Sequence, residues 1–465
     1  MLLVQLQFLM AAWSGVFPQQ RTFLRASGLL VGLLCALGRR TMTRSLAFWG
    51  RTQCDWSADY RVFSRSPWSV RELFTGVLKT ALRHVQPRGF VAVSLDDTSL
   101  KKSSRVIKAA RWMRDALSPA FHVNLKYGLR CLHAAITLPY YGNGYSGRAV
   151  SVGFELAPPV RKPGRKADAT QVAEYKRLSK LHNLSTRAVE LIGRLRADLD
   201  RAGCAVRNLL MVVDGGYTNR TVLSGLPERV DLIGRTRKDI ALCRPAPEGG
   251  RRVYGERLPT PEQIRQDPLK PYQVVTCHYG GKDRPVRYKE VADVLWRTGA
   301  QRRLLRLLVV APTPYKAPGK GRKLDYHDAA YLITTDINSS ARDLLQAYFD
   351  RWQIEPLHRD LKTGLGLGQA QAWADESVAR IHSAIVAVYS MLVLAAIDVY
   401  GPERTAAFPP LPAWRRSDRT RRPSQNDLIA VLRNDVQVTT HPTTTIAPEA
   451  PPNSMLPPRE TYAYS

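Results

Sequence analysis

Tyr348, Arg351, Glu355 and Lys362 stand at offsets 0, 3, 7 and 14 in a stretch that reads as helix. At about 100° per residue, these four fall within roughly 60° of one another on a helical surface. Ser340 with Asp343 three residues later gives a capping-box-like start, and Gly364, Gly366 and Gly368 give the stop. One acid, two cations and an aromatic hydroxyl on one stripe form an arrangement for holding a metal ion against a phosphate. The plainer reading is a solvated face of an amphipathic helix. Leu344, Leu345, Phe349, Trp352 and Leu361 already supply the apolar surface, however, so the polar stripe needs another reason. Pro356 removes a backbone donor and predicts a kink beside Glu355.

The pattern Tyr-x2-Arg-x3-Glu-x6-Lys resembles the signature around the last acidic residue of DDE transposases from bacterial insertion sequences. The resemblance implies a ribonuclease H-like core with two further carboxylates upstream, each at the end of a strand. It also implies that Arg351 and Lys362 grip phosphates near the cleaved end, with Tyr348 adding a hydroxyl contact or packing. The physics agrees, since guanidinium suits bidentate phosphate contact and ammonium acts as a point charge.

The elements that would position such acids can be sought upstream. Phe90 to Leu95 reads as a short buried strand running into Asp96-Asp97-Thr98. Tyr127 to Leu138 and Ala149 to Leu156 read as two more strands, and Lys166 to Ala202 as one long helix. Leu209 to Val213 is a buried strand ending in Asp214-Gly215-Gly216, followed by a helix at Thr218 to Ser224 and a strand at Val230 to Arg235. The order β-β-β-α-β-α-β is that of a ribonuclease H-like fold. Either aspartate alone also reads as an ordinary turn or cap. The family places its first acid at the head of an Asp-x-Thr triplet, which selects Asp96 from the doublet; Asp97 points to the opposite side if the strand continues.

The expected class is therefore α/β: a ribonuclease H-like core at 86–238 and 326–401, interrupted by a mostly β insertion at 239–325. The core's last strand, Ala330 to Thr334, leads into the signature helix. Residues 1–85 read as helical, with basic and aromatic residues interleaved. Two readings stand for them: a DNA-binding domain, or a helical layer packed on the core with a basic exterior. Residues 402–465 read as a basic, Pro/Thr-rich, largely disordered tail with one helix at Gln425 to Asn434.

Asp96, Asp214 and Glu355 are the smallest acidic set that could hold the two Mg²⁺ ions this chemistry uses, with Mn²⁺ as a substitute. Lys plus Arg total 69 against 39 Asp plus Glu, a formal charge of +30, which points to nucleic acid as partner. The same excess fits poorly with a two-carboxylate glycosidase acting on neutral sugars. The six cysteines form no CxxC pair, which predicts reduced thiols, no zinc site and a cytoplasmic setting. Met1 to Phe17 is apolar but lacks a basic lead, and Ala384 to Val399 is short for a span, so no membrane partner is expected.

The leading expectation is a cut-and-paste transposase, acting as a homodimer on terminal inverted repeats and target DNA at the bacterial nucleoid. The alternatives are a metal-dependent nuclease that cuts without joining, and a catalytically inactive DNA-binding relic.

Overall fold

The computed structural model describes residues 1–86, 89–115, 118–119, 121–142, 144–249, 251–316, 324–411 and 422–440. The basic run from Arg415 to Arg421 and the Pro/Thr-rich end from 441 lie outside these residues.

The apolar runs expected as buried strands sit side by side. β1 (Val91–Lys101), β2 (Arg111–Arg114), β3 (Leu125–Leu138) and β4 (Arg148–Leu156) form an antiparallel group in which β3 lies between β1 on one edge and β2 and β4 on the other. β5 (Leu209–Val213) and β6 (Val230–Arg235) run parallel to β1, giving the central order β4-β3-β1-β5-β6. β5 is buried at all five positions, as a strand covered on both faces must be. Mixed pairing of this kind, with helices on the sheet, is consistent with a ribonuclease H-like α/β fold.

The sheet does not end at β6. The chain next forms β7 (Cys243–Pro245), β8 (Tyr254–Arg257), β9 (Gln273–Tyr279), β10 (Lys282–Leu295), β11 (Leu304–Val310), β12 (Thr313–Lys316), β13 (Leu324–His327) and β14 (Ala330–Thr334). β14 pairs antiparallel with β6, and β11, β10, β7 and β8 follow outward, so one sheet of twelve strands crosses the molecule. β9 and β10 turn tightly through Gly280 and Gly281, both at positive φ of 60° and 74°. β12 and β13 pair separately.

The opening helices are α1 (Leu2–Met10), α2 (Gln20–Cys35), α3 (Met42–Phe48), α4 (Ser57–Ser64) and α5 (Val70–Ala81). Two helices, α6 (Ala169–Leu181) and α7 (Leu184–Arg201), replace the single long one expected between β4 and β5. The break follows from Asn183, whose side chain accepts the Thr186 N–H at 2.9 Å and starts a new helix. α8 (Arg220–Ser224) and α9 (Pro261–Gln266) are short. α10 (Ala341–Asp350), α11 (Ile354–Arg359), α12 (Asp375–Tyr400) and α13 (Gln425–Thr440) complete the chain.

α12 is long and apolar enough to cross a membrane by length and composition, yet 83% of its most apolar window is buried inside the protein. α1, α2, α4 and α5 pack on it from one side and β4 from another. Two of its serines bond to neighbouring backbone within the core. Ser383 Oγ donates to the Phe154 carbonyl at 2.9 Å, and Ser390 Oγ accepts the Ser151 N–H at 3.1 Å. The Trp13 indole likewise donates to the Leu73 carbonyl at 2.9 Å, closing the opening helices around α5. All six cysteines are free.

Candidate active site

The pairing of β1 with β5 ends at Leu95 opposite Val213. The next residue on each strand is an aspartate, so Asp96 and Asp214 stand side by side, about one inter-strand spacing of ~4.8 Å apart at the backbone. β1 does not stop there, as the sequence suggested. It runs on to Lys101 because β3 continues to pair with it, Asp96 opposite His133 and Lys101 opposite Gly128. Asp214 instead leaves its strand into a turn. Its Oδ1 accepts the Gly216 N–H at 2.9 Å and the Tyr217 N–H at 3.3 Å, and its carbonyl accepts from Thr218 Oγ1 at 2.9 Å.

The doublet divides its labour by strand alternation. Asp97 faces away from Asp96 and is fully engaged: Arg130 Nε donates to its Oδ2 at 2.9 Å and the buried Tyr217 hydroxyl to its Oδ1 at 3.1 Å. Tyr217 belongs to the Asp214 turn, so Asp97 anchors that turn to β1. Among the described residues, Asp96 accepts only the neighbouring Asp97 N–H, at 2.8 Å. Burial pushes its carboxyl up to about 6; the Asp97 N–H pulls it back, Asp214 raises it further and Arg351 lowers it.

The signature stretch is not one helix kinked at Pro356. α10 ends at Asp350, a 3-10 turn covers Arg351–Gln353, α11 carries Glu355, and a π turn spans Asp360–Gly364. The irregularity precedes the proline because Pro356 has no N–H to bond the Trp352 carbonyl. Tyr348 is half-buried at the end of α10. Arg351 lies over the Tyr348 ring, 5.9 Å from its centroid, and its Nε is buried with no hydrogen-bond partner among the described residues. Glu355 is half-buried and its carboxyl is raised, chiefly by burial, with Arg351 drawing it back. Arg351 thus acts on both Glu355 and Asp96. Lys362, in the π turn, has its ammonium shifted down, first by burial and then by Lys126, while Cys131, Asp96 and Asp115 oppose the shift.

Asp96, Asp214, Arg351 and Lys362 therefore share one electrostatic neighbourhood. Glu355 joins it through Arg351, and Tyr348 joins it by packing under that same guanidinium. Among the described residues, no three acidic, histidine or cysteine side chains converge closely enough to enclose an ion. The donor set is nonetheless all oxygen, and Asp96 is a half-buried carboxylate that no direct ion pair among the described residues compensates. Both features fit a hard divalent cation such as Mg²⁺.

One participant was missed in the sequence. His133 is fully buried on β3, opposite Asp96, with its Nδ1 2.8 Å from His358 Nε2 and its Nε2 2.8 Å from Ser151 Oγ. Burial lowers the pKa of both rings, His358 to about 4. The neutral pair ties α11, and with it Glu355, to the sheet. A histidine in the apolar run Cys131 to Ile136 was the available signal; its partner lies 225 residues away.

A family model described as "DDE superfamily endonuclease" matches residues 15–303, which include Asp96 and Asp214. A second, described as "Archaeal putative transposase ISC1217", matches residues 323–399, which include Tyr348, Arg351, Glu355 and Lys362. No curated protein matches the chain. The first match takes in α2 to α5 as well as β1 to β10, and it covers more than half of the sequence: the chain belongs to the DDE superfamily endonucleases.

Proposed function

We propose that the protein is a DNA transposase that cleaves strands at the ends of its element and joins the 3′-hydroxyls to target DNA. In this reading Asp96, Asp214 and Glu355 hold two Mg²⁺ ions, for which Mn²⁺ substitutes. Held there, the ions would supply activation of a water or 3′-hydroxyl and charge stabilisation for the leaving oxygen. The chain's own groups do the rest. Arg351 offers a fork of donors to a phosphate and Lys362 a point charge, while Tyr348 supports the guanidinium from below. The His133–His358 pair holds α11 in place and stays neutral, so it adds no charge beside the acids.

The observation that carries this reading is the pair Asp96 and Asp214 at adjacent positions of parallel strands, with Arg351 and Lys362 acting on Asp96. The surplus of 30 positive charges supports a polyanionic substrate. We extend the proposal to the wider organisation: residues 86–238 and 326–401 as catalytic core, 239–325 as a β-rich insertion, 1–85 as a helical unit whose basic exterior meets DNA, and two copies in a synapse.

The test is cleavage of a supercoiled plasmid carrying the element's ends, in Mg²⁺ or EDTA, with wild type beside Glu355→Gln. Metal-dependent cutting at the ends that disappears in the variant, with joined products, is the expected result. Cutting without joining would leave a nuclease. Binding of ends without any cutting would leave a DNA-binding relic, and cutting unaffected by Glu355→Gln would remove Glu355 from the site.

A further inference from the structure

α6 is thirteen residues long and buries none of them. A helix of this length is marginal by itself in water, and surface helices normally bury one face. Asp168 caps its start, accepting the Gln171 N–H at 2.7 Å, so the sequence specifies the helix while the core hardly uses it. The loop before it and the helix itself, residues 161–182, carry seven Lys and Arg against Asp168 and Glu174. Glu174 is taken by Arg177, with Nη2 to Oε1 at 2.6 Å. Lys162, Arg165, Lys166, Lys176 and Lys180 are all exposed, and none has an ion-pair partner among the described residues.

This arm stands over a cleft of about 640 Å³ whose walls include Arg130, Tyr175, His182, Asn219 and Arg220. The cleft's far wall reaches the Asp97 side of β1 and the residues that follow the Asp214 turn. Arg130 is the partner of Asp97, and Asn219 and Arg220 follow directly on the turn that carries Asp214. A polyanion lying along α6 therefore reaches the strand ends from the Asp97 side, beside the turn that follows Asp214.

We propose that residues 161–182 form a sequence-independent contact surface for duplex DNA, which rests on the transposase reading above. The cations are spread along a helix and its leading loop, as backbone phosphates are along a duplex, and phosphate contacts position DNA without reading its sequence. A membrane surface does not fit the same residues: Val172, Tyr175 and Leu178 turn half-buried toward the protein, and no continuous apolar face is left for lipid.

The test uses the full chain and two 30-base-pair duplexes of unrelated sequence, with binding read by fluorescence anisotropy over a series of salt concentrations. Five simultaneous changes, Lys162, Arg165, Lys166, Lys176 and Lys180 each to Gln, are compared with wild type, and a second variant carries only Lys176→Glu and Lys180→Glu. These side chains are exposed, so the thermal midpoint should stay at the wild-type value. Every phosphate that is no longer neutralised by a side chain reduces the slope of log K against log salt by about 0.9. The expected result is at least a tenfold loss of affinity and a slope smaller by about 2 to 4 in the fivefold variant, equal on both duplexes. Unchanged affinity and slope, with wild type binding DNA, would overturn this inference alone. A loss confined to one duplex would overturn sequence independence. Wild type that binds neither duplex would overturn the inference, while the transposase reading falls only if the plasmid bearing the element's ends is neither bound nor cut.

Discussion

Replacing each member of the aspartate doublet by asparagine should move stability in opposite directions. In EDTA at pH 7, Asp96→Asn removes a carboxylate whose pKa is lifted to about 6 from its ordinary value near 3.8. At 1.36 kcal/mol per pH decade that lift has a ceiling of about 3 kcal/mol, and solvent relaxation reduces it to about 1–2 kcal/mol. The sign is fixed by linkage. The folded state binds the proton more tightly than the unfolded state, so native stability falls as pH rises from about 4 to about 6 and stays lowered above that. Asparagine escapes this loss, so Asp96→Asn should be the more stable protein at pH 7 and should merge with wild type below about pH 4. The charge of Glu355 still acts on Arg351 after the change.

Asp97→Asn acts the other way. The Arg130 pair is about one-third exposed on the Arg side, at 35%, and after screening is worth under ~1 kcal/mol. The buried Tyr217 hydroxyl loses a charged acceptor, which brings the expected destabilisation to about 1–2 kcal/mol. For a chain of this length, 1 kcal/mol is roughly 1 °C of melting temperature, so differential scanning fluorimetry in triplicate resolves both effects. Mg²⁺ at ten times its dissociation constant should add about 1.4 kcal/mol to wild type and to Asp97→Asn, and nothing to Asp96→Asn. If Asp96→Asn melts below wild type in EDTA, or still gains from Mg²⁺, the assignment of roles within the doublet is wrong.

Two further substitutions test how the acids are held. His133→Leu leaves the His358 ring and Ser151 hydroxyl without their partner and should destabilise the fold by about 1–3 kcal/mol in urea titration, with cleavage falling because Glu355 is less well held. Gly234, paired with Val213, lies so close under Thr218 that an added methyl would overlap its Oγ1. Gly234→Ala should shift the Asp214 turn at a cost of about 1–3 kcal/mol, measured by the same titration, while Gly215→Ala beside it, with nearest contact at 3.5 Å, should be nearly neutral.

The central strands were legible because their signal is local. Leu209–Val213, Val230–Arg235 and Ala330–Thr334 are short apolar runs whose ends are punctuated by Asp, Gly or Arg, and the structure starts and stops them at those residues. Alternation along β1 was legible too, and it separates Asp96 from Asp97. What the sequence concealed is long-range. The length of β1 depends on pairing with β3, the placement of the insertion strands depends on β14 joining β6, and the His133–His358 bond joins residues with no local pattern in common. The division of α6 from α7 was local, in the cap at Asn183, but the helical periodicity on either side masked it.

The signature stripe raises a sharper question, because the geometry used to read it was a regular α-helix and the backbone is not one. The 3-10 turn at Arg351–Gln353 advances about 120° per residue in place of about 100°, so Glu355 and everything after it is rotated forward by roughly 60°. Unopposed, that rotation would swing Lys362 off the face that Arg351 presents to Asp96. The π turn at Asp360–Gly364 takes an extra residue into each hydrogen-bonded ring and so rotates less per residue, in the opposite sense. The two deviations act in opposite senses. Each has its own local cause: Pro356 withholds the N–H that α geometry needs, and Gly364 lets the Gln425 amide of α13 press where a Cβ would overlap it. A stripe read at ideal spacing therefore assumes a regular helix, and the backbone that carries these residues is irregular at both ends of the acid.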